Sequence, residues 1–207
     1  MAKAIFITGT DTDVGKTWVS VRLIEVLRKR GINAVGMKPI ECGSYDDSKA
    51  LQHVSADAGV TLEEVNPIHL DEPVAPAAVS VPVEVRFEDL KAAFDHLAGK
   101  ADFVVVEGAG GWLVPIDAGK SVADLAVYLG LPVAVVAANR LGCLNHTFLT
   151  VGAIDASGLD CLGVFLNLFG EEDLSQRSNA DLLSRGLGKV PLIDQDLEAL
   201  ADLCLQS

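Results

Sequence analysis

The length, composition and charge of the chain exclude several classes of protein. With 207 residues, half of them hydrophobic, the chain is long enough for one well-buried domain, and we expect a single domain over residues 1–207. The net charge of −13 argues against nucleic-acid and anionic-membrane partners, because both need clustered Lys and Arg.

Cysteine usage and the N-terminal segment indicate a reducing compartment. The four cysteines are scattered and form no CxxC pair, which predicts neither a zinc site nor a disulfide framework. The chain opens MAKAIFITG, without a charged-then-apolar leader, and its apolar runs are shorter than the ~20 residues that span a bilayer. We therefore expect a soluble cytoplasmic protein without a membrane segment.

Short apolar runs rich in Val and Ile alternate with longer helical patterns. The runs are AIFIT from Ala4, AVGMK from Ala34, FVVVE from Phe103, PVAVVAA from Pro132 and LGVFLNL from Leu162. Between them, helical spacing covers residues 17–30, 87–98, 122–129 and 145–156. The alternation predicts an α/β fold of three layers, a mostly parallel sheet with helices on both faces, and ligands at the carboxyl ends of its strands.

Two further segments have a different composition. Residues 66–82 contain four of the eight prolines, which predicts an extended, ordered connection. Near the C-terminus, residues 171–186 and 194–205 read as two polar-faced helices around the short run VPLI.

The stretch FITGTDTDVGKTWVS contains the end of a phosphate-binding loop. In the usual GxxxxGK[ST] pattern the first glycine would fall at Thr10, but the glycine comes one residue earlier, at Gly9. The stretch follows the first predicted strand and opens a helix, which is the context that the motif requires. Loop N–H groups would face phosphates, Lys16 would reach the outer phosphates, and the Thr17 hydroxyl would ligate Mg²⁺.

Carboxylates elsewhere in the sequence are candidates to complete a magnesium–nucleotide site. Glu107 closes the run FVVVE at a predicted strand end, and Gly108 and Gly110 after it would let the backbone pass close to a ligand. Asp46 and Asp47 are candidates for the second carboxylate, with a helix N-cap as the alternative.

A lysine and a helix start supply further candidates. Lys38 ends the second run, where it is placed to contact a phosphate or substrate, although a solvated edge lysine is an equal alternative. A helix N-terminus near residues 142–145 is suited to an anion. The histidines show no ligand spacing: His53, His69, His96 and His146.

Five segments, taken together, resemble the dethiobiotin synthetases over most of the chain. They are GTDTDVGKT from Gly9, KPIECGS from Lys38, NPIHLDEPVAPAAV from Asn66, VEGAGGW from Val106 and RLGCLNH from Arg140. The loop of that family has the longer GTDTxVGKT form, which accounts for the displaced glycine.

The resemblance implies the P-loop NTPase fold and an ATP-dependent cyclo-ligase that forms C–N bonds. Such an enzyme carboxylates 7,8-diaminononanoate with CO₂, phosphorylates the carbamate with MgATP and closes the ureido ring. The products are dethiobiotin, ADP and phosphate, in biotin biosynthesis. The resemblance also implies Mg²⁺ as cofactor and a homodimer that binds substrate at its interface.

The resemblance assigns roles to individual positions. Lys16 and Lys38 would be catalytic, and Mg²⁺ would be held by Thr17, Asp47 and Glu107. ATP would contact Asp13, Val14, Gly15, Lys16, Thr17, Trp18, Asp47, Glu107, Gly108, Ala109, Gly110, Asn167, Pro191, Leu192, Ile193 and Glu198. Substrate would contact Thr12, Lys38 and Cys42 and, from the partner subunit, Gly142, Cys143, Leu144 and Asn145. Cys42 replaces the hydroxyl residue common in the family, and a thiol forms weaker hydrogen bonds.

Two alternatives remain at the level of sequence. Glutamine-dependent cobyrinate a,c-diamide synthetases share the scaffold, but the sequence has no second, glutaminase-sized domain. Partitioning and metal-carrier ATPases use a similar deviant loop as a switch, typically with a second lysine early in the loop. Here the loop reads TDTDV before Gly15, without a lysine.

Overall fold

A parallel six-stranded sheet forms the centre of the computed structural model, which describes residues 2–168 and 173–206. The strands are β1 Lys3–Gly9, β2 Ala34–Met37, β3 Ile40–Cys42, β4 Ile68–Leu70, β5 Phe103–Gly111, β6 Pro115–Asp117, β7 Lys120–Ser121, β8 Val133–Ala138, β9 Cys161–Asn167 and β10 Leu192–Asp194. The central sheet has the order β10-β9-β8-β1-β5-β2, and each neighbouring pair is parallel.

Helices cover both faces of this sheet. They are α1 Lys16–Lys29, α2 Asp46–Val54, α3 Leu62–Val65, α4 Phe87–Ala98, α5 Val122–Leu129, α6 Cys143–Ala156, α7 Gln176–Gly186 and α8 Leu197–Gln206. The chain moves from β1 toward one edge through α1, and from β5 toward the other edge through α5 and α6. Right-handed crossovers in opposite directions put the helices on opposite faces. Accordingly α1 packs on α2 and α8, whereas α4 packs on α5 and α6 on α7.

The predicted α/β architecture is confirmed, and the sheet core matches the apolar runs. All six residues of β8 and the first six of β5 are buried, as expected for strands covered on both faces. The helix predicted from residue 145 begins earlier, at Cys143, because Gly142 adopts the left-handed conformation that precedes it. Part of the helix predicted over 171–186 lies outside the described residues, and α7 begins at Gln176.

One prediction about a segment was wrong, and another was incomplete. Glu107 does not end its strand, because β5 continues through the glycines to Gly111. The connection 66–82 is not merely extended: it contains β4, which pairs in parallel with β3, and a single 3₁₀ turn at Pro76–Ala78. Strands of three residues are too short to leave a period in the sequence.

None of the helices in the described part of the chain has the length and apolar character of a membrane span. The longest, α1 and α6, have 14 residues each.

Candidate active site

The phosphate-binding loop connects β1 to α1 in the conformation that the motif requires. Gly15 is the N-cap of α1 at φ 89°, and Asp13 also has a positive φ of 57°. A Cβ on Gly15 would lie 2.2 Å from Nδ2 of Asn167. That nitrogen donates a hydrogen bond to the Val14 carbonyl at 3.0 Å. Asn167, at the end of β9, therefore holds the loop backbone through a side-chain hydrogen bond.

Lys16 is buried at the start of α1. Its Nζ donates to the Asp11 carbonyl at 3.1 Å. Burial lowers the pKa of Lys16, and the nearby Lys38 ammonium lowers it further. The Asp11 carboxylate accepts from the Thr12 N–H at 2.8 Å and pairs with Arg140 at 3.3 Å. Asp11 thus braces the loop through both its backbone and its side chain.

Strand register explains why Lys38 meets Glu107. Met37 of β2 lies opposite Val106 of β5, so the next residue of each segment, Lys38 and Glu107, are neighbours. The Lys38 Nζ donates to Glu107 Oε1 at 2.7 Å and to the Gly108 carbonyl at 3.3 Å. Both side chains are buried. The predicted strand-end lysine is therefore an interior cation.

Asp47 and Thr17 complete this cluster. Asp47 lies in the first turn of α2, and its Oδ2 accepts from Lys38 Nζ at 2.7 Å. The Thr17 Oγ1 lies 2.7 Å from Asp47 Oδ1 and 2.8 Å from Glu107 Oε1. Asp46 instead accepts from the Ser44 hydroxyl at 2.7 Å. The structure brings Asp47 into the cluster and leaves Asp46 outside it.

The charges in the cluster stabilise one another against burial. Burial alone would lower the pKa of Lys38, but the carboxylates of Glu107 and Asp47 outweigh it and hold the pKa above its ordinary value. Burial would likewise raise the pKa of Asp47, but the Lys38 ammonium and the Thr17 hydroxyl hold it below its ordinary value. Lys38 and Asp47 are therefore both charged at neutral pH.

A cavity of about 600 Å³ opens beside the loop and the cluster. Its walls include the predicted residues Thr12, Asp13, Gly15, Lys16, Thr17, Lys38, Cys42, Asp47, Ala109 and Gly110. The cavity is also lined by residues that were not predicted, namely Glu41, Pro73, Val74, Ala75, Pro76 and Val114. The proline content of the segment 66–82 was the available signal, because prolines fix a backbone that can form a wall.

The remaining glycine of the predicted site, Gly108, serves packing. A Cβ there would lie 3.0 Å from the Phe6 ring and from Val122. Gly108 therefore allows β5 to fit against the core, and the expected approach of its backbone to a ligand applies to Gly110, which lines the cavity.

Most of the remaining residues predicted to contact ATP lie at the β9–β10 side of the molecule. Trp18 is half-exposed and lies 6.4 Å, between ring centroids, from Phe165, which pairs in register with Ile193. Pro191 is exposed and Leu192 is half-buried. Glu198 pairs with Arg30, at the opposite end of α1 from the loop. The structure thus places Trp18 near β10, whereas the contacts of Glu198 lie away from the loop.

The N-terminus of α6 lies outside the cavity of its own chain. Gly142 and Asn145 are exposed, Leu144 is half-buried and Cys143 is buried. Arg140, which lies two residues before Gly142, pairs with Asp11 of the loop at 3.3 Å.

Mg²⁺ fits the donor set of Thr17, Asp47 and Glu107. The Thr17 hydroxyl has one hydrogen but lies within hydrogen-bond distance of two carboxylate oxygens, Asp47 Oδ1 and Glu107 Oε1. The other carboxylate oxygen of Glu107, Oε2, is buried without a hydrogen-bond partner. The described residues contain no group of three or more His, Cys, Asp and Glu that could hold a metal. Mg²⁺ in nucleotide sites takes one or two carboxylates beside phosphates and water, and Asp47 and Glu107 would supply these carboxylates.

Comparison with known proteins identifies the family. The family described as "AAA domain" matches residues 3–198. The ATP-dependent dethiobiotin synthetase BioD of Akkermansia muciniphila is 42% identical over 173 residues, which is 80% of this chain and 78% of that protein. The BioD proteins of Xylella fastidiosa strain 9a5c and Xanthomonas euvesicatoria are 43% and 40% identical, over 89% and 91% of this chain and 85% and 90% of theirs. The chain belongs to the dethiobiotin synthetase family.

Solved structures confirm the fold class predicted for this dethiobiotin synthetase family member. A ParA family ATPase from Chlorobium tepidum matches with a TM-score of 0.57 at 14% identity, over 100% of this chain and 90% of that chain. MinD from Pyrococcus horikoshii, complexed with Mg-ADP, matches with a TM-score of 0.56 at 19% identity, over 100% and 86%. At such identities the likeness concerns the P-loop NTPase fold alone.

Proposed function

We propose that the protein is an ATP-dependent dethiobiotin synthetase that makes the ureido ring from 7,8-diaminononanoate, CO₂ and ATP. Family membership supports the activity. The observation that carries the proposal is the cluster of Lys38, Asp47, Glu107 and Thr17 between the phosphate loop and the cavity. A switch ATPase needs the loop but has no need of a small-molecule cavity beside it.

The proposed reaction has three steps. One amine attacks CO₂ and loses a proton to give a carbamate. A carbamate oxygen then attacks the γ-phosphorus of ATP, and ADP leaves. The second amine finally attacks the carbonyl carbon and loses a proton, phosphate leaves and the ring closes. Because the last step joins two groups of one molecule, it needs mainly a bound conformation that keeps the amine close to the carbonyl carbon. The cavity lining at residues 73–76 would help to hold that conformation.

Lys16 and Lys38 supply positive charge for the phosphoryl transfer. The carbamate and the γ-phosphate are both anionic, so their approach requires cations on either side. Lys16 lies where the loop enters α1, Lys38 lies directly after β2, and both line the cavity. Mg²⁺ held by Thr17, Asp47 and Glu107 would offset the remaining phosphate charge. Thr12 and Cys42 line the same cavity and would contact the diamine.

We further propose a homodimer with substrate at the interface. The N-terminus of α6, expected to bind the distant carboxylate of the substrate, lies outside the cavity of its own chain, so it would serve the cavity of a partner. Further along α6, Leu149 is 66% exposed and lines a groove together with Leu113, which is 69% exposed. A surface of this kind is typical of protein–protein contact. Residues 1–207 would act as one cytoplasmic domain in each subunit.

The test is an ATPase assay that depends on the diamine. Purified protein with Mg-ATP, bicarbonate and 7,8-diaminononanoate is expected to release ADP and form dethiobiotin, detected by mass spectrometry. Without the diamine, ADP release should fall to background. ATP turnover that is indifferent to the diamine would contradict the proposal and favour a switch ATPase.

A further inference from the structure

Glu41 is a buried carboxylate that family resemblance assigned to no role. It lies in the middle of β3, is 3% exposed and lines the cavity. Its Oε1 accepts from the backbone N–H groups of Asp47 at 2.9 Å and Ser48 at 3.3 Å, and its Oε2 accepts from Ser48 at 3.2 Å. Both N–H groups belong to the first turn of α2.

Glu41 replaces the local cap that α2 lacks. The N-cap residue, Tyr45, makes no side-chain capping bond, and the Asp46 carboxylate accepts a hydrogen bond from the Ser44 hydroxyl instead. The first N–H groups of a helix have no partner within the helix, and the helix dipole favours a negative charge there. A carboxylate five residues upstream therefore fixes where the helix begins.

The same helix start carries Asp47 into the cluster. The backbone N–H of Asp47 is held by Glu41, and its two carboxylate oxygens are held by Thr17 and Lys38. Hydrogen bonds therefore hold both the backbone and the side chain of Asp47. Parallel pairing of β3 with β4 in turn fixes Glu41, which lies opposite His69.

We propose that Glu41 is a positioning residue for the magnesium–nucleotide site: it holds the first turn of α2 so that the Asp47 carboxylate stays beside Thr17 and Lys38. This inference rests on the proposed function for the identity of the bound nucleotide. Groups that orient a metal-binding side chain typically contribute 10–100-fold to metal affinity or activity.

The alternative is a direct contact between Glu41 and the ammonium groups of the diamine. Both oxygens of Glu41 already accept from backbone N–H groups, which favours positioning. The two roles differ in what they change, because a direct contact would affect the KM for the diamine and leave nucleotide binding intact.

Two substitutions test the proposal. Glu41→Met fills the volume but accepts no hydrogen bond, whereas Glu41→Gln keeps an acceptor for the Asp47 and Ser48 N–H groups. The matched control is Asp124→Ala, which removes a carboxylate cap from the start of α5 away from the cavity. The measurement is the Kd of ADP by titration calorimetry in excess Mg²⁺ and in excess EDTA. The ratio of the Kd in EDTA to the Kd in Mg²⁺ gives the contribution of Mg²⁺ to binding.

Glu41→Met should reduce this ratio by about 10–100-fold, and Glu41→Gln should reduce it by no more than about threefold. Asp124→Ala should leave the ratio unchanged, even if the thermal unfolding midpoint of that variant falls. Amide exchange at Asp47 and Ser48 should accelerate in Glu41→Met alone. If Glu41→Met does not fold, Glu41→Ala takes its place. An unchanged ratio in the folded variant, an equal loss in Glu41→Gln, or a change confined to the KM for the diamine would overturn the proposal. Because ADP binding needs no diamine, failure of the synthetase reaction is a separate outcome.

Discussion

Lys38 carries its charge where water has little access, and two carboxylates make this possible. An unpaired buried charge costs far more than a paired one, so the lysine and Glu107 depend on each other. The same arrangement aims an ammonium at the cavity, where phosphoryl transfer would build negative charge. The proposed phosphoryl transfer and the stability of the fold therefore depend on the same side chain.

Replacing Lys38 should expose both of these roles. In Lys38→Ala we expect turnover to fall ~100-fold, equivalent to about 3 kcal/mol of transition-state stabilisation. The variant should also lose about 3–5 kcal/mol of stability, because Glu107 is left buried without its cation. ADP release and denaturant unfolding measure the two effects.

A double variant separates the two roles of Lys38. Lys38→Met combined with Glu107→Gln removes both buried charges and should regain much of the lost stability while remaining inactive. Wild-type turnover in Lys38→Ala would remove the lysine from the mechanism.

Lys16 should give nucleotide binding a characteristic pH dependence. Its pKa in the folded protein lies below the ordinary 10.5, so it loses its proton at a lower pH than an exposed lysine. Phosphates bind the protonated form. ADP affinity should therefore be constant near neutral pH and fall as pH rises through the lowered pKa.

Calorimetric titration of ADP from pH 7 to pH 10.5 checks this expectation. Lys38 keeps its charge over the range because its pKa is raised, so the loss can be assigned to Lys16. In Lys16→Met the affinity should be weak and should not vary with pH in this way. Wild-type affinity that stays constant up to pH 10.5, the ordinary pKa of lysine, would contradict the prediction.

At the scale of elements, the loop depends on a contact between distant parts of the chain. Gly15 must have a left-handed backbone, and it must also lack a side chain because Asn167 of β9 lies directly against it. The loop motif alone predicts the first requirement. The second arises only when β9 joins the sheet beyond β8.

Two glycines of similar backbone conformation test this point. Gly15→Ala should abolish nucleotide binding, because the new Cβ would lie 2.2 Å from Asn167 Nδ2. Gly31 has φ +84° and no atom within 4 Å of an added Cβ, so Gly31→Ala should cost only about 1–2 kcal/mol of backbone strain and leave binding intact. Nucleotide titration and thermal unfolding of both variants provide the measurement. Equal binding by the two variants would show that the contact with Asn167 is unimportant.

The sequence predicted those parts of the site that follow a long strand or a loop motif. Lys16, Thr17, Lys38 and Glu107 were found because each follows or interrupts a recognisable apolar run. The choice between Asp46 and Asp47 required the start of α2, and this depends on Glu41. The cavity wall at residues 73–76 depends on β4, a strand of three residues. Pairing between short segments is decided by tertiary contacts, which leave no periodic pattern.

At the scale of the whole molecule, the exposed groove beside α6 carries the proposal of a dimer. Leu149→Glu should convert a dimer into a monomer, because burial of a charge in an apolar interface is unfavourable. The variant should bind ADP normally, since the loop is intact, but should show a raised KM for the diamine. Light scattering and steady-state kinetics provide the two measurements.

Val127→Glu is the matched control for the interface substitution. Val127 is 44% exposed on α5 and does not line the groove, so its variant should keep both the assembly state and the KM. A dimeric Leu149→Glu protein would place the interface elsewhere. A wild-type monomer with full activity would refute the shared site.

The strand order also has a consequence for synthesis on the ribosome. β1 and β2 are not neighbours, because β5 lies between them, and β2 pairs with no other strand of the central sheet. A nascent chain therefore has no partner for either strand until residues 103–111 have left the exit tunnel. Lys38 likewise emerges long before Glu107. β1 and β2 must wait for their partner in the central sheet, and the arrival of β5 joins the two strands and brings Glu107 to Lys38 in the same event.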